Sequence, residues 1–202
     1  MGQCWPLGCG HGPQRRTREA AAEQIGAAAA AADPRDLASL ADVVVVAVSW
    51  EGLESALMLV GGPEAALAGK TVVDCTNPVD YATGRVLPAY GSAAEAAARV
   101  ATGASVVKAL HLFAGASWPY EGERDAAPVV AICGDDADAL SRAGTLITDL
   151  GGRTAVLGGL DAARQAEEAA GFVMRVVAAG ANPRFAVPDL DPALLRAGTA
   201  DQ

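Results

Sequence analysis

The sequence is short of positive charge: 15 Lys and Arg stand against 24 Asp and Glu, giving a formal charge of −9 and an isoelectric point near 4.6. A phosphate backbone would be repelled overall, which argues against a nucleic-acid partner. Long apolar runs are also missing. The longest, around Val43 to Val48, falls far short of the ~20 residues a membrane-spanning helix needs, so no membrane association is expected and the chain is expected to be soluble. Residues 1–16 hold no apolar core of the kind a signal peptide requires, and a cytoplasmic location is the expectation. Met1-Gly2 opens like an acylation site, but Pro6 stands where that motif has Ser or Thr.

Familiar catalytic signatures are absent as well. There is no G-x-S-x-G elbow and no local Ser-His-Asp arrangement, so hydrolase chemistry has no support. Gly8, Gly10 and Gly12 form G-x-G-x-G before Pro13, whereas a dinucleotide fingerprint needs G-x-G-x-x-G between a strand and a helix. Cys4, Cys9 and His11 are three candidate ligands without a second paired cluster, which falls short of a zinc pattern. No metal site is expected. Cys75 and Cys133 lie in apolar runs, where cysteine behaves as a small hydrophobe, and no disulfide is expected.

What is present is a chain of 202 residues, 51% hydrophobic, which fits one globular domain or a domain with an appended helical lobe. Residues 1–16 are rich in Gly and Pro without apolar periodicity, and predict an irregular tail. From Thr17 the pattern changes. Residues 17–31 are strong helix formers ended by Asp33-Pro34, and Arg35 to Leu40 predicts a short second helix. Val43 to Val48 is a β-branched run suited to a strand buried on both faces. Runs of the same type follow at 71–75, 105–108, 129–133 and 153–157, with helical segments at about 51–60, 92–101 and 136–150. Such alternation predicts an α/β fold, a doubly wound parallel sheet with right-handed crossovers. A last helix, 162–179, is expected to open on Asp161 as its N-cap and to stop at Gly180.

In open α/β sheets the ligand crevice lies beyond the strand carboxyl ends, where strand order reverses. Three such ends carry unusual residues: Ser49-Trp50, Thr76-Asn77-Pro78 and Leu110-His111. Asn77 offers an amide donor and an acceptor beside a proline that fixes the loop, which would suit a carboxamide such as nicotinamide. An Asn-Pro pair is equally at home as a turn initiator. Trp50 could stack on a planar ring or cap the core. His111 is the candidate for a hydrogen bond to a ligand at neutral pH, with a structural histidine as the alternative. Asp135-Asp136 fits helix capping better than metal ligation, and Gly151-Gly152 and Gly158-Gly159 fit helix termination and turn formation.

The segments ADVVVVAV, GKTVVDCTNPVD, VVKALH and ICGDD, with the pattern from Gly158 to Pro188, resemble the NADP oxidoreductase, coenzyme F420-dependent, family. The resemblance runs in order over residues 35–188. It implies a Rossmann-like sheet lacking the usual first strand and glycine-rich turn, with residues 17–158 as the NAD(P)-binding domain and 159–202 as a C-terminal helical segment. It further implies NADP(H) as cofactor and coenzyme F420 as co-substrate, with hydride passing between them. Val48, Ser49 and Trp50 would lie along the dinucleotide, and Asn77 and Pro78 would meet the nicotinamide end. His111 would face the deazaflavin or nicotinamide ring, while Met174 and the Asn182-Pro183 turn would help close the deazaflavin side.

No catalytic side chain is assigned, because cofactors of this kind carry the chemistry themselves. Arg15 and Arg16 stand where the family has a Ser-Arg pair for the 2′-phosphate, and are the remnant of it or else solvated charges. Because composition changes abruptly where the resemblance fades, residues 1–16 are expected to reflect a shifted reading frame or a wrong start. The resulting alternative is a catalytically inactive Rossmann-like interaction module that has lost dinucleotide binding. The edge left by the missing strand would favour a homo-oligomer.

Overall fold

The computed structural model describes residues 13–25, 29–87, 91–113 and 117–188. Five strands form one sheet in the order β1 (Val43–Val46), β2 (Thr71–Asp74), β5 (Ser105–Lys108), β6 (Val129–Cys133) and β7 (Arg153–Gly158). A small antiparallel hairpin, β3 (Val79–Asp80) with β4 (Arg85–Val86), stands apart from it. The helices are α1 (Pro13–Ile25), α2 (Leu37–Leu40), α3 (Leu53–Leu59), α4 (Ala93–Val100), α5 (Ala137–Asp149) and α6 (Ala163–Ala178).

The β-branched runs become the strands, and their two-residue period sorts side chains between two cores. Val44, Val46, Val72 and Val106 face one side, where they pack with Leu53 and Leu57 of α3, Ala93 and Ala97 of α4, and Ala163 and Ala166 of α6. Val73 and Val107 face the other, against Ala139, Ala143 and Ile147 of α5. Small alanines let the helices approach closely, so a core with few aromatic residues still closes. The α/β fold, with helices on both faces of a mostly parallel sheet, is as expected.

Several details differ from expectation. β6 runs antiparallel to β5, joined through the pair Lys108 and Cys133, so the sheet is not parallel throughout. A parallel return needs a crossover, usually helical. The described residues of 109–128 hold no α-helix, only 3-10 conformation at Ser117 and in the turn Arg124–Ala126. Strand order also rises steadily from β1 to β7, so the described sheet contains no point of reversal. β1 is an edge strand and not buried on both faces: Val44 and Val46 are covered, but Val45 is 45% exposed because α5 lies over β2 and β5.

At the chain's start, α1 begins at Pro13, inside the stretch expected to be irregular, because a proline is well placed in a first helical turn. It ends by Ile25, and the described residues 29–33 are not helical. Asp161 does not cap α6. It falls within the 3-10 turn Leu160–Ala162, and Ala162 holds the cap position without a side-chain bond. Asp136 does cap α5, accepting from Ala139 N at 2.7 Å, and Asp135 accepts from Leu160 N at 2.8 Å. Gly151 (φ +83°) closes α5, its N–H donating to Thr148 O. Where α6 meets the β3–β4 hairpin, Gly171 and Gly84 touch so closely that a Cβ on either would overlap its neighbour.

Candidate functional site

At the carboxyl ends of β2 and β5 the sheet buries charge. Asp74 and Lys108 are the last residues of neighbouring parallel strands, paired in register, and both side chains are fully buried. Lys108 Nζ lies 3.0 Å from Asp74 Oδ2 and 2.9 Å from Glu167 Oε1, and it also donates to the Thr76 carbonyl. Those three partners use all three ammonium hydrogens. Asp74 Oδ1 in turn accepts from Thr76 N at 2.9 Å and Thr76 Oγ1 at 2.7 Å, which folds the post-β2 loop back on its strand. Glu167, on α6, accepts from Ala93 N at 2.9 and 3.1 Å, placing its carboxylate on the N-terminus of α4. Burial holds the Glu167 carboxyl above the usual carboxylate range, with Lys108 opposing.

The loops leaving this cluster carry the polar groups singled out in the sequence. Asn77 Nδ2 donates to the His111 carbonyl at 2.6 Å, tying the loop after β2 to the loop after β5. Its Oδ1 is buried without a partner. His111 is buried, and neither ring nitrogen has a hydrogen-bond partner. Burial first, and the Lys108 charge second, push the imidazole down to about 4; a backbone contact with Ala166, outside hydrogen-bond geometry, opposes this. The ring is therefore neutral at pH 7, with one nitrogen donating and the other accepting. Leu110, between Lys108 and His111, has φ +57°, a left-handed conformation that costs a branched side chain energy. The chain thus turns sharply between two buried polar residues.

Pro78 is buried beside Asn77. Val48 and Trp50 are half-buried and pack against the first core cluster, so Trp50 has the core contacts of its structural alternative. Ser49 is exposed before the 3-10 turn Trp50–Gly52. Met174 is half-buried on α6, about 10 Å along the helix from Glu167. Asn182 accepts from Arg184 N at 2.9 Å and caps a 3-10 turn, a structural role for the Asn182-Pro183 pair. Arg15 and Arg16 fall within α1, but their side chains, like Cys4, Cys9 and His11, lie outside the described residues.

The structure therefore joins Asn77 to His111 and adds three residues the sequence argument had not singled out: Asp74, Lys108 and Glu167. The first two carried a signal, since opposite charges end two successive valine runs. Glu167 carried none, being one acidic residue of an alanine-rich helix.

A cavity of about 530 Å³ between Tyr120, Arg124, Gly151 and Arg153 shares no residue with this site. Among the described residues no three His, Cys, Asp or Glu side chains are grouped to hold a metal, and no helix is long and apolar enough to cross a membrane.

The comparisons with known proteins point one way. Residues 8–78 match the family described as NADP oxidoreductase coenzyme F420-dependent, and the match begins inside the stretch expected to lie outside the resemblance. A putative F420-dependent NADP reductase from Arthrobacter sp. FB24 is similar at 32% identity and a TM-score of 0.64, over 74% of this chain and 70% of that one. A hypothetical protein from Sinorhizobium meliloti follows at 25% identity and a TM-score of 0.58, over 74% and 72%. No curated protein matches.

Proposed function

Since the chain belongs to the NADP oxidoreductase, coenzyme F420-dependent, family, we propose that it transfers a hydride between NADP(H) and coenzyme F420. The observation that carries the proposal is the trio of buried, unpartnered polar atoms at the strand ends: Asn77 Oδ1, His111 Nδ1 and His111 Nε2. Buried polar atoms are ordinarily paired, so these three call for a ligand with both donors and acceptors. A primary carboxamide has two amide hydrogens and one carbonyl oxygen, which fits them.

When bound, the two cofactors supply the hydride donor and acceptor themselves. The chain's own work is to hold and orient. Asn77 Oδ1 accepts from the carboxamide, and the neutral His111 ring offers a donor and an acceptor beside it. Pro78 stiffens the loop that carries Asn77. By the family resemblance Val48, Ser49 and Trp50 would line the dinucleotide, Arg15 and Arg16 would take its 2′-phosphate, and Met174 would lie on the deazaflavin side. No side chain acts as nucleophile.

Calorimetric titration with NADPH and then NADH tests this, with circular dichroism as the check on folding. Saturable binding that prefers NADPH is expected, followed by loss of F420 absorbance on mixing both cofactors with the protein. Asn77→Ala should weaken NADPH by about tenfold, the worth of one buried hydrogen bond. A folded protein that binds neither dinucleotide would replace the proposal with a non-catalytic Rossmann-like module.

A further inference from the structure

Lys108 is an unusual residue to find completely buried in the middle of a sheet, and the hydride-transfer scheme assigns it nothing. Its three hydrogens are already taken by Asp74, Glu167 and the Thr76 carbonyl, so it has none left to give a ligand. What it can still exert is its charge. Three residues further on, past the left-handed Leu110, is His111 with both ring nitrogens unpartnered. The two carboxylates near the ammonium, Asp74 from β2 and Glu167 from α6, are turned onto Lys108 and onto the amides of Thr76 and Ala93.

We propose that Lys108 is a positioning residue of the site: its bonds to Asp74, Glu167 and the Thr76 carbonyl fix the loop that carries Asn77, which in turn holds the His111 carbonyl, and its charge, three residues before His111, sets which groups that ring offers a ligand amide. The inference rests on the carboxamide reading of the site given above.

The surroundings of His111 are consistent with a charge effect. Lys108 is the charged neighbour that acts on the ring, and its sign disfavours the imidazolium. Cys133, paired with Lys108 across β5 and β6, has its thiol pushed up by burial, and Cys75 beside Asp74 is pushed up to about 12. Both are therefore neutral thiols at neutral pH and add no charge. On α6, the element packed over the cluster, the contact with the ring is the Ala166 backbone. A protonated His111 would offer two donors and no acceptor, and would lose half of its match to an amide.

The test is the NMR titration of the His111 ring in ligand-free protein, in a His11→Gln background that leaves one histidine in the chain. The parent midpoint is expected near 4. Lys108→Met should raise it by about one pH unit or more, since a repelling charge is gone. Glu167→Gln should leave it unchanged or lower it, because the substitution removes a counter-charge and leaves Lys108 in place.

A purely structural role predicts something else. Loosening by either substitution would let water in and move both midpoints up toward an exposed histidine. Both rising together, or no rise in Lys108→Met, would overturn the proposal. If Lys108→Met does not fold, the Lys108→Met/Glu167→Gln pair, which leaves one carboxylate fewer without a counter-charge, replaces it with the same expected rise. The readout needs no cofactor. Failure of NADPH to bind would therefore count against the cofactor assignment and leave the histidine result standing.

Discussion

β2 and β5, at the middle of the sheet, bury a carboxylate and an ammonium completely, whereas β1 and β7, at its edges, leave valines in water: Val45 is 45% and Val156 59% exposed. This inverts the usual sorting of apolar inside and polar outside. The centre tolerates charge because every hydrogen of Lys108 and both carboxylates find partners from three different elements. The edges expose apolar surface for a plainer reason, since no described helix covers the outer face of Val45 or Val156. Polarity at the centre is over-determined by its neighbours, while the edges have nothing to determine them.

The sharpest way to break the centre is Lys108→Met. Removing one partner of a buried ion cluster leaves the others uncompensated, and a loss of about 3–5 kcal/mol in unfolding free energy is expected from urea denaturation.

A smaller effect follows from pH. Above pH 6.5 the His111 ring is neutral both folded and unfolded, and its share of stability is fully present. As pH falls from 6.5 toward about 4 the unfolded chain takes up a proton that the folded one refuses, and stability falls, by roughly 3 kcal/mol in all. Glu167 works in the opposite sense: its raised carboxyl is protonated in the folded state first, so its contribution is present at low pH and lost as pH rises through its folded value. His111→Gln should remove the first slope and keep the second, which unfolding curves at pH 7 and pH 5 would reveal. A His111→Gln protein as acid-sensitive as the parent would assign the slope elsewhere.

At the edge the expected effect is smallest. Val156→Thr should change stability by no more than about 0.5 kcal/mol, because the side chain is already solvated. A larger loss in urea denaturation would mean that this edge is covered in solution.

The same contrast explains what the sequence made legible. Val43–Val46, Val72–Val73 and Val106–Val107 announce strands because buried parallel strands need unbroken β-branched runs. Asp136 and Gly151 announce the ends of α5 because capping is local. The direction of β6 was harder, since it depends on whether the connection after His111 forms a helix. The clustering of Glu167 with Lys108 was not legible at all. It joins residues 59 positions apart through helix placement, and local periodicity carries no trace of that. Asn77 and His111 stand out in the sequence by their place after strands, but the bond between them belongs to the loops' folded path.

Glu167 also ties the fold to the order in which the chain is made. All five described strands of the sheet are complete by Gly158, yet the second counter-charge for Lys108, and the acceptor for the first amide of α4, lie beyond them on α6. During synthesis the sheet can be laid out in full while its central ammonium is still one carboxylate short. The last helix is thus the step that completes the charge balance of a core spelled out long before it.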